Sequence, residues 1–375
     1  MAMAERNDPA LDHLIERVRA ARAARLHLNI VGGGSKGFYG ETPRGADLSV
    51  RELRGISSYE PSELVITARA GTPLAELEAA LAEHGQCLPF EPPRFELPGG
   101  PGGTVGGMVA AGLAGPARAW VGGVRDYVLG ASLLTGRAEL LSFGGQVIKN
   151  VAGYDVSRLL VGSLGQLGLI CEVSLKVLPQ AVATATLRFE SSEAAALAQL
   201  NAWGGQPLPI NASAWWDGML VLRLAGAAAA VSAALAKLGG EVVSPEQAAA
   251  FWTGLRDQND EFFVAAQQAV AGGATLWRLS VPQTAPPLGL RGEQLLEWGG
   301  AQRWLVSASP AQAVREAASQ AGGHATVFRC SPQQAATLGP RFAALSPPLL
   351  RIHRALKTAF DPDRLFNPGR LYADL

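Results

Sequence analysis

Two glycine clusters limit the folds open to this chain more than any other feature of its sequence. Seven glycines lie between Gly99 and Gly112, and a shorter cluster runs from Gly32 to Gly40, directly after the apolar stretch Leu26 to Val31. Glycine loses more conformational freedom on folding than any other residue, so such clusters belong where the backbone turns tightly or approaches a ligand closely. The sequence therefore predicts special backbone loops and not a flexible linker.

The first glycine cluster fits several known loop templates only in part. Its Gly-x-Gly-x-x-Gly spacing, beginning at Gly32, is that of a dinucleotide fingerprint, but Gly40 and Pro43 prevent the helix that must follow. The missing helix argues equally against a hydrolase nucleophile elbow at Ser35, and the turn has no Gly-Lys-Ser/Thr for a P-loop. Two interpretations remain: a loop whose backbone N–H groups surround an anion, or a wide turn without a ligand.

The second glycine cluster leads directly into a segment of small residues, Met108 to Gly115. A diphosphate, with two negative charges and many acceptor oxygens, is a ligand that requires such close approach to the backbone. The alternative is a Gly/Pro-rich surface loop. The small-residue segment that follows at once favours the diphosphate.

Charge and cysteine content exclude several classes of protein. Lys plus Arg and Asp plus Glu both number 32, so the formal net charge is zero, which argues against a nucleic-acid-binding protein. The three cysteines form no C-x-x-C pair, so neither a disulfide framework nor an iron–sulfur cluster is expected. We find no signal peptide and no apolar run of the roughly 20 residues that a transmembrane helix needs, and we expect a cytoplasmic protein.

Hydrophobic periodicity divides the chain near residue 180. Before that point helices and strands alternate, and Val128 to Thr135 is expected to form a hairpin with Ala138 to Leu141. From Ala181 onward the predicted order indicates an antiparallel sheet with helices on one face. Within this part, the stretch between Val281 and Arg303 is expected to be helical.

Six segments with family-like residues follow one another along the chain. They are Gly32 to Gly40, Gly103 to Gly112, Gly122 to Gly130, Ile148 to Gly165, Leu167 to Glu172 and Phe360 to Arg370. In this order and spacing they resemble the vanillyl-alcohol-oxidase/PCMH-type FAD-binding family and, within it, the FAD-binding E subunits of bacterial glycolate oxidase (glycolate dehydrogenase).

The resemblance implies an α+β fold in three parts. A PCMH-type, two-subdomain FAD-binding domain is expected at residues 1–180, an α+β cap domain with an antiparallel sheet at 181–330, and a C-terminal segment that returns to the FAD domain at 331–375. The resemblance assigns FAD binding to Gly32, Gly33, Gly34, Ser35, Lys36, Gly37, Pro98, Gly99, Gly103, Thr104, Gly107, Gly112 and Ile170. Ser35-Lys36 stands in the loop where covalent members carry the flavin-linking His, and no Cys stands just before the second glycine segment, where bicovalent members carry one, so noncovalent FAD is expected.

The resemblance also implies a function: oxidation of glycolate to glyoxylate by a multi-subunit glycolate oxidase. The expected partners are the larger flavoprotein and the iron–sulfur protein of that enzyme, its D and F components, with no metal in this chain. Two alternatives stay open, a self-sufficient FAD-dependent oxidoreductase acting on a small 2-hydroxy acid and a non-catalytic assembly subunit. The sequence identifies no catalytic base, and His324 and Tyr154 are the two residues considered for that role. Leu164 replaces the Glu of the Gly-Ser-Glu-Gly motif that is usual in hydroxy-acid dehydrogenases of this fold.

Overall fold

The N-terminal part of the fold consists of short helices around small sheets. The computed structural model describes residues 8–95, 102–145 and 155–375. The helices here are α1 (Pro9–Ala24), α2 (Leu74–Glu83), α3 (Val105–Ala111), α4 (Arg118–Val121), α5 (Val124–Tyr127) and α6 (Val156–Leu159). The strands are β1 (Leu28–Val31), β2 (Ala46–Ser49), β3 (Ile56–Glu60), β4 (Val65–Arg69), β5 (Gln86–Cys87), β6 (Val128–Leu134), β7 (Leu140–Gly144), β8 (Leu169–Lys176) and β9 (Leu178–Pro179).

The first subdomain is built on α1 and the parallel pair β1–β2. The Asp8 carboxylate accepts a hydrogen bond from the Leu11 amide at 3.2 Å and so caps the helix, which continues from Pro9 as the sequence predicts. Leu14 and Val18 of α1 are buried. No helix follows the loop after β1, because the next regular element is the strand β2. The prediction that the first glycine cluster is not a Rossmann-type dinucleotide site is therefore confirmed.

The second subdomain is an antiparallel sheet in the order β3–β4–β8–β6–β7. Helices α2 and α3 pack on it through a shared core that includes Leu77, Val109 and Val173. The predicted hairpin is confirmed, since β6 and β7 pair directly around the turn at Gly136. Together the two subdomains have the two-part architecture that the resemblance implies.

An eight-stranded antiparallel sheet dominates the second half, in the order β13–β10–β12–β11–β15–β16–β14–β17. Its strands are β10 (Ala183–Glu190), β11 (Ile210–Trp216), β12 (Met219–Gly226), β13 (Glu241–Val243), β14 (Thr275–Ser280), β15 (Glu293–Glu297), β16 (Gln302–Ser307) and β17 (His324–Arg329). The helices are α7 (Glu193–Gly204), α8 (Ala228–Leu238), α9 (Pro245–Asp257), α10 (Glu261–Ala271), α11 (Ala311–Gln320), α12 (Pro332–Ala335) and α13 (Pro347–Phe360). This is the α+β cap with an antiparallel sheet that the sequence predicts. Nowhere in residues 8–95, 102–145 and 155–375 is a helix long and apolar enough to cross a membrane.

Two predictions for the cap are wrong. The stretch before β16 is a strand, β15, and not a helix, because Pro286, Pro287 and Gly292 exclude a helix and Glu293–Glu297 pairs with a strand on each side. The prediction that helices cover only one face of the sheet is also wrong, because helices cover both faces. Helices α7, α8 and α11 pack on one face, and α9 and α10 pack on part of the other.

The C-terminal tail lies against the first subdomain. Phe366 forms a parallel bridge with Leu28, and the Asn367 amide donates to the Leu28 carbonyl at 2.9 Å. The buried Lys357 ammonium holds this turn, since it donates to the Asp361 carboxylate and to the Phe366 carbonyl, each at 2.8 Å. Tail and first subdomain thus share one core.

Candidate cofactor-binding site

A cavity lies where the first glycine loop, helix α3, the start of β8 and the tail meet. Its volume is about 150 Å³. Nine of the residues assigned to FAD line it: Gly32, Gly33, Gly34, Ser35, Lys36, Gly37, Thr104, Gly107 and Ile170. The structure therefore brings residues from three separate segments of the sequence to one surface.

The first glycine loop contains backbone donors that no described residue uses. The amides of the four residues from Gly33 to Lys36 donate to no other residue in the described part of the chain. Gly34 has a φ of 78°, and a Cβ added there would meet no atom within 4 Å. A Cβ on Gly33 would lie 1.6 Å from the Gly102 carbonyl oxygen, so the two glycine clusters touch here and only glycine fits. Successive free amides of this kind are an anion-binding nest.

Lys36 supplies a positive charge to the cavity wall. Its ammonium lies 3.4 Å from the Ser35 hydroxyl and 5.3 Å from the centre of the Phe95 ring. Burial lowers the pKa of Lys36 to about 8, and the more distant Asp257 carboxylate opposes this shift only in part. A diphosphate beside this ammonium would restore the favourable charge balance that burial removes.

The second glycine cluster leaves space for a ligand but offers the cavity few free backbone N–H donors. The amides of Val105 and Gly106 already donate to the carbonyls of Thr72 and Ala70, and the Gly107 amide donates to the Thr104 hydroxyl at 3.2 Å. The α3 N-terminus therefore has few free amides to offer. Gly106 is required for another reason, because a Cβ there would lie 2.6 Å from the Ala70 side chain.

Two of the glycines that the resemblance assigns to FAD binding, Gly103 and Gly112, do not line the cavity. Gly103 approaches Lys36, since a Cβ added to it would lie 3.2 Å from the ammonium. Gly112 ends α3 in the left-handed conformation and packs against Gly162. Pro98, Gly99 and Tyr154 lie outside the described residues.

The tail supplies two lining residues to which the sequence analysis gave no cofactor role. The Asn367 side chain donates to the Leu164 carbonyl at 2.6 Å and accepts from the Ile30 amide at 2.7 Å, which joins two walls of the cavity. Arg370 donates to the carbonyls of Tyr39, at 2.6 Å, and Glu41. Burial lowers the pKa of Arg370 to about 10. The Asn-Pro-Gly-Arg sequence at 367–370 is the signal that could have identified these two residues. In the structure, Arg370 holds the segment after the first glycine loop through its hydrogen bonds to the backbone.

His324 is not part of this cavity. It is the first residue of β17, an edge strand of the cap sheet, where it pairs with Ser280 and is exposed. Within the ranges the structure describes, no group of three or more His, Cys, Asp or Glu side chains is placed to hold a metal ion.

The residues present fit a dinucleotide diphosphate. The fit rests on the unused amides from Gly33 to Lys36, the open space at Gly34 and the buried Lys36 ammonium. These features need an anion to complete them.

Comparison with known proteins also indicates a bound dinucleotide, and it extends over a much larger part of the chain than the cavity does. Residues 10–144 match a family described as an FAD binding domain. The glycolate oxidase subunit GlcE of Escherichia coli (strain K12) is 49% identical over 362 residues, which cover 96% of this chain and 97% of that protein. This chain belongs to the GlcE family. Its cofactor is FAD, and it is an FAD-dependent oxidoreductase subunit.

Other relatives match less than half of the GlcE-family chain. The glycolate oxidase subunit GlcD of Bacillus subtilis (strain 168) is 29% identical over 157 residues, 41% of this chain and 32% of that protein. A D-lactate dehydrogenase of Archaeoglobus fulgidus is 33% identical over 151 residues, 40% of this chain and 32% of that protein. A solved alkyldihydroxyacetonephosphate synthase superposes with a TM-score of 0.65 at 15% identity, covering 95% of this chain and 74% of that one, and so shows the fold.

Proposed function

We propose that this GlcE-family chain is the FAD-carrying subunit of a multi-subunit glycolate oxidase that oxidises glycolate to glyoxylate. The observation that carries the proposal is the match to the E. coli glycolate oxidase subunit, which runs through both the FAD domain and the cap. Dehydrogenases of D-lactate and D-2-hydroxyglutarate match 44% of the chain or less. Those matches cover less than half of the chain, whereas the match to the E. coli glycolate oxidase subunit covers 96% of it.

The partners are a second, larger flavoprotein of the GlcD type and an iron–sulfur protein, the F component of the enzyme. Electrons must leave a reduced flavin, and this chain has three cysteines, of which Cys171 is buried and none is in a disulfide. A separate cluster-bearing protein supplies the missing electron path. We place the complex in the cytoplasm, with any membrane attachment made through these partners.

The residues of this chain bind and orient the cofactor. The amides of Gly33 to Lys36 and the Lys36 ammonium would hold the diphosphate, and Asn367 and Arg370 would keep the loop in place. FAD, when bound, accepts two electrons as a hydride equivalent. Binding is noncovalent, because Ser35 offers no nitrogen for a flavin bond.

The test is to produce the chain together with the larger flavoprotein and the iron–sulfur protein and to purify the complex. Glycolate should reduce an artificial electron acceptor only when this chain is present and loaded with FAD. As a matched control, the same complex is assembled with a Gly107→Trp chain, which should assemble without FAD in this position. A complex that oxidised glycolate at the full rate without this chain, or without its FAD, would contradict the proposal.

A further inference from the structure

The segment that directly follows the first glycine loop is contacted by the cap. Phe38 and Tyr39 come two and three positions after Lys36, in irregular chain between β1 and β2. The Arg329 guanidinium, on the cap strand β17, lies 3.5 Å from the centre of the Phe38 ring. The Arg278 guanidinium, on the neighbouring strand β14, donates to the Tyr39 hydroxyl at 3.3 Å. Two paired strands of the cap thus hold consecutive residues beside the cofactor-binding amides.

Arg329 has only aromatic rings as partners for its side chain. Besides Phe38, its guanidinium lies 5.6 Å from the centre of the Phe95 ring and 5.8 Å from that of the Phe328 ring. Among the residues that the structure describes, it donates no hydrogen bond and pairs with no carboxylate. Burial lowers the pKa of Arg329 to about 10. A largely buried cation without an acceptor is unfavourable, and such a group in a native structure requires an explanation.

Another cap arginine at the boundary with the FAD domain shows the usual arrangement. Arg223, on β12, also contacts an aromatic ring, since its guanidinium lies 4.9 Å from the centre of the Trp252 ring. It is neutralised across the boundary by the Glu91 carboxylate of the FAD domain, to which it donates at 2.7 Å. Arg329 has no such ion pair and makes a closer ring contact. Its place in the structure is therefore explained by Phe38 and not by a charge partner.

Ring contacts connect Phe38 to the lysine of the cofactor site. The Phe38 and Phe95 rings pack edge to face, with their centres 5.6 Å apart and an angle of 68° between their planes. The Lys36 ammonium lies 5.3 Å from the centre of the same Phe95 ring. One aromatic pair thus has the cation of the cap, Arg329, on one member and the cation of the glycine loop on the other. A displacement of Phe38 would disturb the packing around Lys36 as well.

Backbone hydrogen bonds connect the same segment to the anion-binding amides. The Tyr39 amide donates to the Lys36 carbonyl at 3.0 Å, and the Gly37 amide donates to the Gly34 carbonyl at 3.1 Å. The carbonyls of the nest are therefore fixed by the two turns that lead into Phe38 and Tyr39. A peptide unit is planar, so fixing its carbonyl also fixes the direction of the N–H group attached to it. Binding of an anion by successive amides depends on that direction.

We propose that Arg329 is a positioning residue of the cofactor site: it holds Phe38 from the cap and thereby keeps the first glycine loop in the conformation that binds the FAD diphosphate in the cavity beside it, the glycine cavity. Arg278 supports the same segment through Tyr39. The cap is thus part of the FAD-binding unit, although the match to the FAD-binding family ends at residue 144. The inference concerns the cofactor alone, so it does not depend on which substrate the complex oxidises.

The experiment measures the Kd for FAD of the whole chain after its flavin has been removed, and the Kd for ADP from its competition with FAD. ADP carries the diphosphate without the flavin ring. Arg329→Met keeps a long apolar side chain against Phe38 but removes the cation. Both Kd values should rise about 10-fold, as expected for loss of a desolvated cation–aromatic contact. Arg329→Lys keeps a cation beside the ring and should restore both Kd values to within about threefold of the wild type.

Arg223→Met is the matched control. It removes a cap cation that also contacts a ring and bridges to the FAD domain, but through Glu91 and not through the first glycine loop. Its Kd for FAD should equal that of the wild type. Phe38→Leu should itself raise the Kd, and in that background Arg329→Met should have no further effect, because the contact it removes is already lost. Urea unfolding verifies that each variant is folded.

An unchanged Kd for FAD in Arg329→Met, or an equal rise in Arg223→Met, would overturn the inference. Full additivity of Arg329→Met and Phe38→Leu would also overturn it, because Arg329 would then act without Phe38. A rise for FAD alone, with ADP unchanged or unable to compete in the wild type, would show that the diphosphate is not involved. If Arg329→Met does not fold, Phe38→Leu provides the test, since an unchanged Kd there equally contradicts the inference.

Discussion

The buried carboxylate of Glu297 should make the stability of the cap depend on pH in a way that one substitution removes. Burial raises the pKa of Glu297 from its ordinary 4.5 to about 7, and the hydrogen bonds from Trp304 and Gln302 oppose this only in part. The nearby carboxylates of Asp260 and Glu91 raise the pKa further. The folded protein therefore keeps a proton on this group at pH values where the unfolded chain has lost it.

The sign and size of the effect follow from this difference. A group whose pKa is raised by folding contributes its full stability below the unfolded pKa, and the contribution is lost as pH rises through the folded pKa. Each tenfold change in proton affinity is worth about 1.4 kcal/mol, so between pH 5 and pH 8 the loss amounts to about 2–3 kcal/mol. The neutral side chain of Glu297→Gln does not ionise. From pH 5 to pH 8, the free energy of unfolding of Glu297→Gln should therefore rise by about 2–3 kcal/mol relative to that of the wild type.

The measurement is the free energy of unfolding in urea at pH 5 and pH 8, followed by tryptophan fluorescence. Seven of the eight tryptophans lie between Trp203 and Trp304, so the signal reports mainly on the cap. Glu246→Gln, on the exposed first turn of α9, is the control and should show the same difference from the wild type at both pH values. If Glu297→Gln also showed a constant difference, the carboxylate would be ionised throughout and the account of its burial would be wrong.

Four further outcomes are expected. Acid precipitation of the FAD-loaded protein should release all the flavin into the supernatant, and flavin in the pellet would contradict noncovalent binding. Gly107→Trp should abolish FAD binding, as measured by flavin content, because an indole there would fill the cavity, whereas Gly205→Trp at the exposed end of α7 should retain it. Asn367→Ala should raise the FAD Kd about tenfold, since a buried hydrogen-bonding group left unpaired costs about 1–3 kcal/mol, and an unchanged Kd would remove the tail from the site. Lys357→Met should lower the free energy of unfolding by about 3–5 kcal/mol, because Asp361 would remain buried without its cation, and urea denaturation tests this.

The part of the site that the sequence predicts is the part made by local backbone. The Gly32–Gly37 loop is a continuous run whose conformation depends on its own glycines, and Pro43 shows in the sequence alone that no helix follows. The hairpin of β6 and β7 is local for the same reason. Such features can be predicted because the residues that determine them are neighbours in sequence.

The residues that complete the glycine cavity come from distant segments. Asn367 contacts Leu164 and Ile30, which are separated from it by 203 and 337 positions in the chain. No periodicity or spacing encodes such contacts. The tail motif is visible in the sequence, but its contacts depend on how Phe366 pairs beside Leu28.

The buried position of Glu297 cannot be found from the sequence while one element is assigned wrongly. A helix between Pro282 and Arg303 would carry Glu297 on an exposed turn as an ordinary surface acid. As the last residue of β15, Glu297 instead lies between β11 and β16, where both neighbouring strands exclude water. One local signal is available: Glu297 follows Leu295-Leu296 and precedes Trp298-Gly299-Gly300, a setting with no other polar side chain in which a lone carboxylate is unusual. Its burial, however, depends on strand pairing with β11 and β16 and on the hydrogen bonds that Trp304 and Gln302 donate to it.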